Sequence, residues 1–185
     1  MAATHVTASE LAAGLDAILK SPQESGVLEL IVRRPRVDHR EVLETGELDL
    51  KHGLVGDTWN IRASSRTPDG SPHPDKQLNV MNARAAALVA QTKDRWALAG
   101  DQLFVDLDLS VTNLPAGTQL ALGSAVIEIT ALPHTGCQKF LARFGLEAMR
   151  FFNSPLGLEL RLRGLNAKVV RAGTIRVGDI VRKLP

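Results

Sequence analysis

From residue 27 onward the chain keeps breaking into short runs of strand-forming residues separated by turn formers, and this texture constrains the fold more than any other feature. The runs fall at 27–32, 41–50, 77–81, 102–108, 117–122, 124–132, 158–162, 166–171 and 174–183. About nine short strands with few helices between them close best into a mostly antiparallel barrel, because closure removes the unpaired edges that short strands would otherwise expose. A parallel α/β sheet would need a helix after nearly every strand. The fold class expected is therefore mainly β: a closed or partly open, mostly antiparallel β-barrel with a few short helices.

Local signals place those helices. Thr7 followed by Glu10 is a capping-box pattern, and Leu11, Leu15, Ile18 and Leu19 then recur at helical spacing, which predicts a helix over 7–20 that stops before Pro22. Asn82 ahead of an Ala-rich stretch predicts a second helix, and 138–152 a third. Residues 1–25 thus read as an N-terminal helix and linker, and 26–185 as the barrel domain, in line with a length of 185 residues. Segment 61–76, with three prolines and no periodicity, reads as a long loop of the kind that often carries function. Arg171-Ala172-Gly173-Thr174 and Leu122-Gly123-Ser124 read as tight hairpin turns with glycine at positive φ. The dipeptides Gly56-Asp57, Gly100-Asp101 and Gly178-Asp179 each follow a short apolar run and read as turns in which Asp bonds its own backbone. Asp57 stands apart because it leads into the long loop.

Composition excludes several classes. A formal charge of +2, spread evenly along the chain, with no tyrosine and 4% aromatics, offers neither a basic footprint nor stacking platforms for nucleic acid. No basic leader and no apolar run approaching 18 residues is present, so the chain reads as a soluble, cytoplasmic protein without membrane contact. GxGxxG, GxxxxGK[ST], GxSxG and HExxH are all missing.

What remains is the lone cysteine, Cys137, in Leu132-Pro133-His134-Thr135-Gly136-Cys137-Gln138-Lys139, between a strand and a helix. A helix start, Lys139, Arg143 and a protonated His134 would each favour the thiolate, the form that attacks or ligates metal. A small buried thiol is the plain alternative. Zinc is a poor fit, since His39, His52 and His73 are isolated and distant in sequence, while a Cys–His hydrolase depends on whether the His134 ring reaches the sulfur.

Several segments in order carry a resemblance: Gly53-Leu54-Val55-Gly56-Asp57, Gly100-Asp101-Gln102-Leu103, Leu120 to Ile129, His134-Thr135-Gly136-Cys137-Gln138-Lys139, Arg163 to Val170, and Gly173 to Val181. From about Gly26 to the end, they resemble the MOSC domain, the C-terminal domain of molybdenum-cofactor sulfurases. The resemblance implies a β-barrel with one reactive cysteine, here Cys137, that ligates the molybdenum of a molybdopterin cofactor in relatives reducing N-oxygenated compounds, or carries sulfur as a persulfide. It implies His134 as a second catalytic residue, and Asp57, Lys76 and Lys139 as cofactor-binding residues. Arg62, Arg84 and Arg143 are further cations for the pterin phosphate. Expected partners are a small-molecule substrate and an external electron or sulfur donor protein. Pyridoxal phosphate is not expected on this chain. A third reading is a non-catalytic binding domain. Two positions depart from the common family pattern: Gly136 stands where many members have Pro, and Gly100-Asp101-Gln102 where they have Gly-Glu-Asn.

Overall fold

The computed structural model describes residues 5–185. Thr7 opens α1 (Ala8–Leu19) through the expected capping box, its hydroxyl accepting from the Glu10 N–H while Glu10 reaches back to the Thr7 N–H at 2.8 Å. The chain then enters β1 (Ser25–Arg33), β2 (Glu41–Leu43), β3 (Thr45–Asp49) and β4 (Gly53–Leu54). Two 3₁₀ turns and the 61–76 loop lead to β5 (Leu78–Asn82) and α2 (Ala83–Ala90), which Asn82 caps. A 3₁₀ segment over Lys93–Ala99 precedes β6 (Leu103–Val105), then β7 (Gln119–Leu122) and β8 (Ala125–Ile129). Next come α3 (Gln138–Phe152), kinked at Gly145, and α4 (Pro155–Glu159), before β9 (Leu165–Arg171), β10 (Gly173–Arg176) and β11 (Ile180–Lys183).

Seven strands close into a barrel in the order β1-β11-β7-β8-β9-β5-β6, with β6 returning to β1 and β2 attached to the far end of β1. All pairings are antiparallel except β5 with β6. A small sheet, β10-β3-β4, adds Leu48, Leu54 and Ile175 to the barrel's interior core.

The continuous apolar run in β1 is explained by burial on both faces. Leu28 and Ile31 belong to the interior cluster, whereas Leu30 and Val32 join an outer cluster formed with the helices. A bulge between Leu28 and Leu30 shifts the alternation and turns Ile31 back inward. The outer cluster takes Leu11 and Ile18 from α1, Ala85 and Val89 from α2, and Phe140, Phe144 and Phe152 from α3. Among the described residues no helix is long and apolar enough to cross a membrane.

Four local expectations need correction, one of them the 174–183 run, which breaks around Gly178 into β10 and β11 in different sheets. Residues 158–162 are not a strand: Ser154 caps α4 by accepting from the Gly157 N–H at 3.0 Å, with Pro155 at the first helical position. Arg171–Thr174 is not a hairpin, because β10 leaves β9 to pair with β3, and Gly173 is not at positive φ. The 41–50 run splits in two, β2 pairing with β1 and β3 joining the small sheet. The Leu122–Ser124 turn joins β7 and β8 as expected, with Gly123 at φ +54°.

Candidate functional site

Cys137 is the N-cap residue of α3 and is exposed, so it is not a core thiol. The loop that presents it is pinned at both ends. Asn166 on β9 donates its amide N–H to the carbonyls of Leu132 and Pro133, at 3.0 and 3.2 Å. At the other end, the Gly136 N–H donates to Asn153 Oδ1 at 2.9 Å, at the C-terminal end of α3. A proline at 136 would lack that donor, which gives a structural reason for glycine there.

Behind two residues of the cysteine cleft, His134 and Arg163, lies Asp101, whose carboxylate is wholly buried and bridges them. Arg163 Nη1 donates to Oδ2 at 2.6 Å, and His134 Nε2 sits 3.0 Å from Oδ1. Burial alone would raise the Asp101 pKa, but the Arg163 guanidinium, with the His134 ring adding, outweighs it and holds the carboxyl at about 2. His134 is lowered too, for a different reason: burial first, and then the Arg163 charge, depress its pKa despite Asp101. The ring is thus neutral at pH 7, and because an ionised carboxylate only accepts, the proton sits on Nε2 and Nδ1 keeps its lone pair. The turn reading of Gly100-Asp101 holds for Gly100, at φ +92°, and fails for Asp101.

Asp57 anchors a second buried pair. Arg34 Nε and Nη2 donate to its two oxygens, each at 2.8 Å, and the Arg34 backbone N–H adds a third bond at 2.9 Å. Asp57 also accepts from the Trp59 N–H at 2.9 Å, so it is both turn former and ion-pair partner. Arg34 Nη1 continues to the Gly100 carbonyl at 3.0 Å and to Asn79 Oδ1 at 3.1 Å, while Asn79 donates to Asn166 Oδ1 at 2.7 Å. One polar network therefore links the Gly56-Asp57 and Gly100-Asp101 segments to the cysteine loop.

Two adjoining clefts share Arg34, Arg62, Asn79 and His134 as a common wall. The first, about 480 Å³, holds Cys137 together with Arg36, Arg40, Lys139, Arg143 and Arg163, and Asp38 is its only acidic lining residue. Lys139 and Arg143 both reach Asp38, at 2.7 and 3.3 Å. Burial and then the charges of Arg143 and Arg34 lower the Arg40 pKa, and its Nε is buried without a hydrogen-bond partner. The second cleft, about 330 Å³, lies under the 61–76 loop and contains Lys76, Trp59 and Arg66. Lys76 is thus next to the cysteine cleft rather than in it. Arg84 lines neither cleft, being tied to Asp106 at 2.7 Å and to the Ala17 carbonyl. The even charge spacing along the sequence becomes a concentration of cations in space.

Sequence reasoning singled out Cys137, His134, Lys139 and Asp57 but missed Arg34, Asp101, Arg163, Asn79 and Asn166. The repeated Gly-Asp pair was the usable signal for Asp101; Arg34 had none.

This barrel, with its single exposed thiol at a loop before a helix, is a MOSC-like fold. Among solved structures, the YuaD protein of Bacillus subtilis is similar, with a TM-score of 0.62 at 16% identity over 85% of this chain and 94% of that one. YiiM of Escherichia coli matches with a TM-score of 0.55 at 16% identity, over 86% and 70% of the two chains. YiiM of Geobacillus stearothermophilus gives 0.54 at 12%, over 87% and 75%. No protein-family model and no curated protein matches the sequence.

Proposed function

We propose that the chain holds a molybdenum–pterin cofactor in the Cys137 cleft and reduces N-oxygenated small molecules with electrons from a separate donor protein. The observation that carries this reading is an exposed lone thiol opening on a cleft walled by cations. No group of three or more His, Cys, Asp or Glu among the described residues stands ready to hold a metal, so a metal at Cys137 needs ligands from outside the protein, and a pterin dithiolene is such a soft donor set. The orphaned Arg40 Nε fits the same group, as a buried donor without an acceptor on a residue that lines the thiol's cleft.

When bound, the cofactor supplies the two-electron chemistry that removes oxygen from nitrogen and releases it as water. The chain's own residues do the rest. Cys137 offers its sulfur as the one protein ligand. Arg40, Lys139 and Arg143 draw the phosphate into the cleft, as guanidinium and ammonium groups do for oxyanions. Asp101 fixes His134 so that Nδ1 can take up a proton and pass it on at the departing oxygen.

Metal and pterin analysis of protein made in a host competent for cofactor synthesis tests this. Near-stoichiometric molybdenum in the native chain and its loss in Cys137→Ser is the expected result; molybdenum well below stoichiometry in both rejects the reading. Exposure of Cys137 also favours a second reading, a persulfide carrier fed by an external sulfur donor. Its mark is a one-sulfur mass increment on Cys137 after incubation with a cysteine desulfurase.

A further inference from the structure

The second cleft has its own chemistry. Trp59 lines it, held in place by its indole N–H donating to the His73 carbonyl across the loop at 3.2 Å. Arg62, Arg66 and Lys76 line it as well, and among the described residues none of the three has an acidic partner. Arg62 Nη2 donates to the Thr58 hydroxyl at 3.1 Å, and no acidic residue lines the cleft. Desolvation and repulsion from Arg34 lower the Arg62 pKa against the opposing pull of Asp57, and desolvation with repulsion from Arg66 lowers that of Lys76. Cations held this close without a salt-bridge partner are relieved by an anion, and an indole beside them offers a flat face to a ring. A volume of about 330 Å³ matches the lower end of small-molecule sites, roughly 300–1,000 Å³.

We propose that this cleft binds an aromatic phosphate monoester, with its ring against Trp59 and its phosphate among Arg62, Arg66 and Lys76. Because Asn79 and His134 belong to both clefts, a ligand seated here lies beside the Cys137 cleft, which makes anionic aromatic compounds the substrate class of that site. The substrate assignment rests on the function proposed above; the binding does not.

Adenosine 5′-monophosphate is the probe, read by calorimetry and by tryptophan fluorescence on the full chain carrying Cys137→Ser, so that no cofactor is needed. Trp96 is buried against Phe104 and serves as the unresponsive reference. The expected result is one-to-one binding with Trp59 quenching, at least tenfold tighter than adenosine or inorganic phosphate alone. Arg66→Ala and Lys76→Ala should each weaken it about tenfold without altering thermal unfolding, while the native cysteine changes nothing. Affinity equal to that of adenosine, or affinity insensitive to both substitutions, overturns the phosphate site. Affinity equal to that of inorganic phosphate, or a Trp59→Ala variant that binds as well as the parent, overturns the ring site. Binding to the molybdenum-free chain together with a failed metal analysis would sink the cofactor reading and leave this site standing.

Discussion

Asp101 is a buried charge whose cost is met by one guanidinium, which makes it the residue where a small change should do the most damage. Replacing it with asparagine keeps the shape and an amide oxygen that can accept from Arg163, but leaves the buried guanidinium, which also donates to the Ala99 carbonyl at 2.8 Å, without its counter-charge. Breaking a buried pair in this way costs about 3–5 kcal/mol, and urea unfolding of Asp101→Asn at neutral pH should register it. The pH dependence follows from the two shifts. Asp101 has a depressed folded pKa, so the unfolded chain binds its proton first as pH falls, and the contribution of the ion pair, present above 3.8, is lost towards about 2. His134 is also depressed, so its neutral folded form begins to lose stability below its ordinary 6.5. Native stability should therefore decline in acid over both windows, and Asp101→Asn should lose the slope of the lower one; an unchanged slope there contradicts the pair. None of this was legible locally. Asp101 and Asp179 look alike in sequence, and Asp179 is the plain turn former, its Oδ2 accepting from the Arg176 N–H at 2.7 Å. What separates them is Arg163, 62 residues away from Asp101.

Among the elements, α3 and the loop before it set the direction of the thiol, and the clamp between Gly136 and Asn153 is the contact that couples them. Gly136→Pro removes the N–H donor, and a Cβ there would meet Met149 Sδ at 2.7 Å and Asn153 Nδ2 at 3.2 Å. A lost part-buried hydrogen bond plus overpacking costs on the order of 1–3 kcal/mol. At roughly 2–4 °C per kcal/mol for a chain of this size, Tm should fall by several degrees in a thermal unfolding scan, and an equal or higher Tm would show that the clamp is not needed. The same level shows where pattern reading succeeds. Caps are local, so Thr7, Asn82 and the turn at Gly123 were readable from neighbouring residues. Leu158-Glu159-Leu160-Arg161-Leu162 alternates like a strand, yet the Ser154-Pro155 start and Arg161 at φ +48° bend it into a helix and turn. The true partner of Thr174 is Glu47, 127 residues earlier, which no turn signal at Gly173 can reveal.

For the whole molecule, the barrel class was legible because nine or so short apolar runs admit few other packings, whereas the strand order was not, since it depends on pairings between distant segments. The parallel β5–β6 pair and the double use of β1 are the clearest cases. β1 faces β11 over Ser25–Val27 and β6 over Leu28–Ile31, so the seam that closes the barrel lies beside a crowded strand junction. Gly26 pairs with Val181 there, and a Cβ on it would run into the Asp106 backbone carbonyl, which cannot turn aside as a side chain would. Farther along the same strand and just beyond it stand Arg33 and then Arg34, which carries the Asp57 pair and the wall shared by both clefts. Gly26→Ala should therefore cost about 1–3 kcal/mol, with strand separation at the seam rather than a local repair. Urea unfolding would show a lower midpoint, and amide exchange would show protection lost at Val27 and Ile180 before the β7–β8 hairpin. An unaltered midpoint, or loss spread evenly around the barrel, would mean that closure does not depend on the close approach at Gly26.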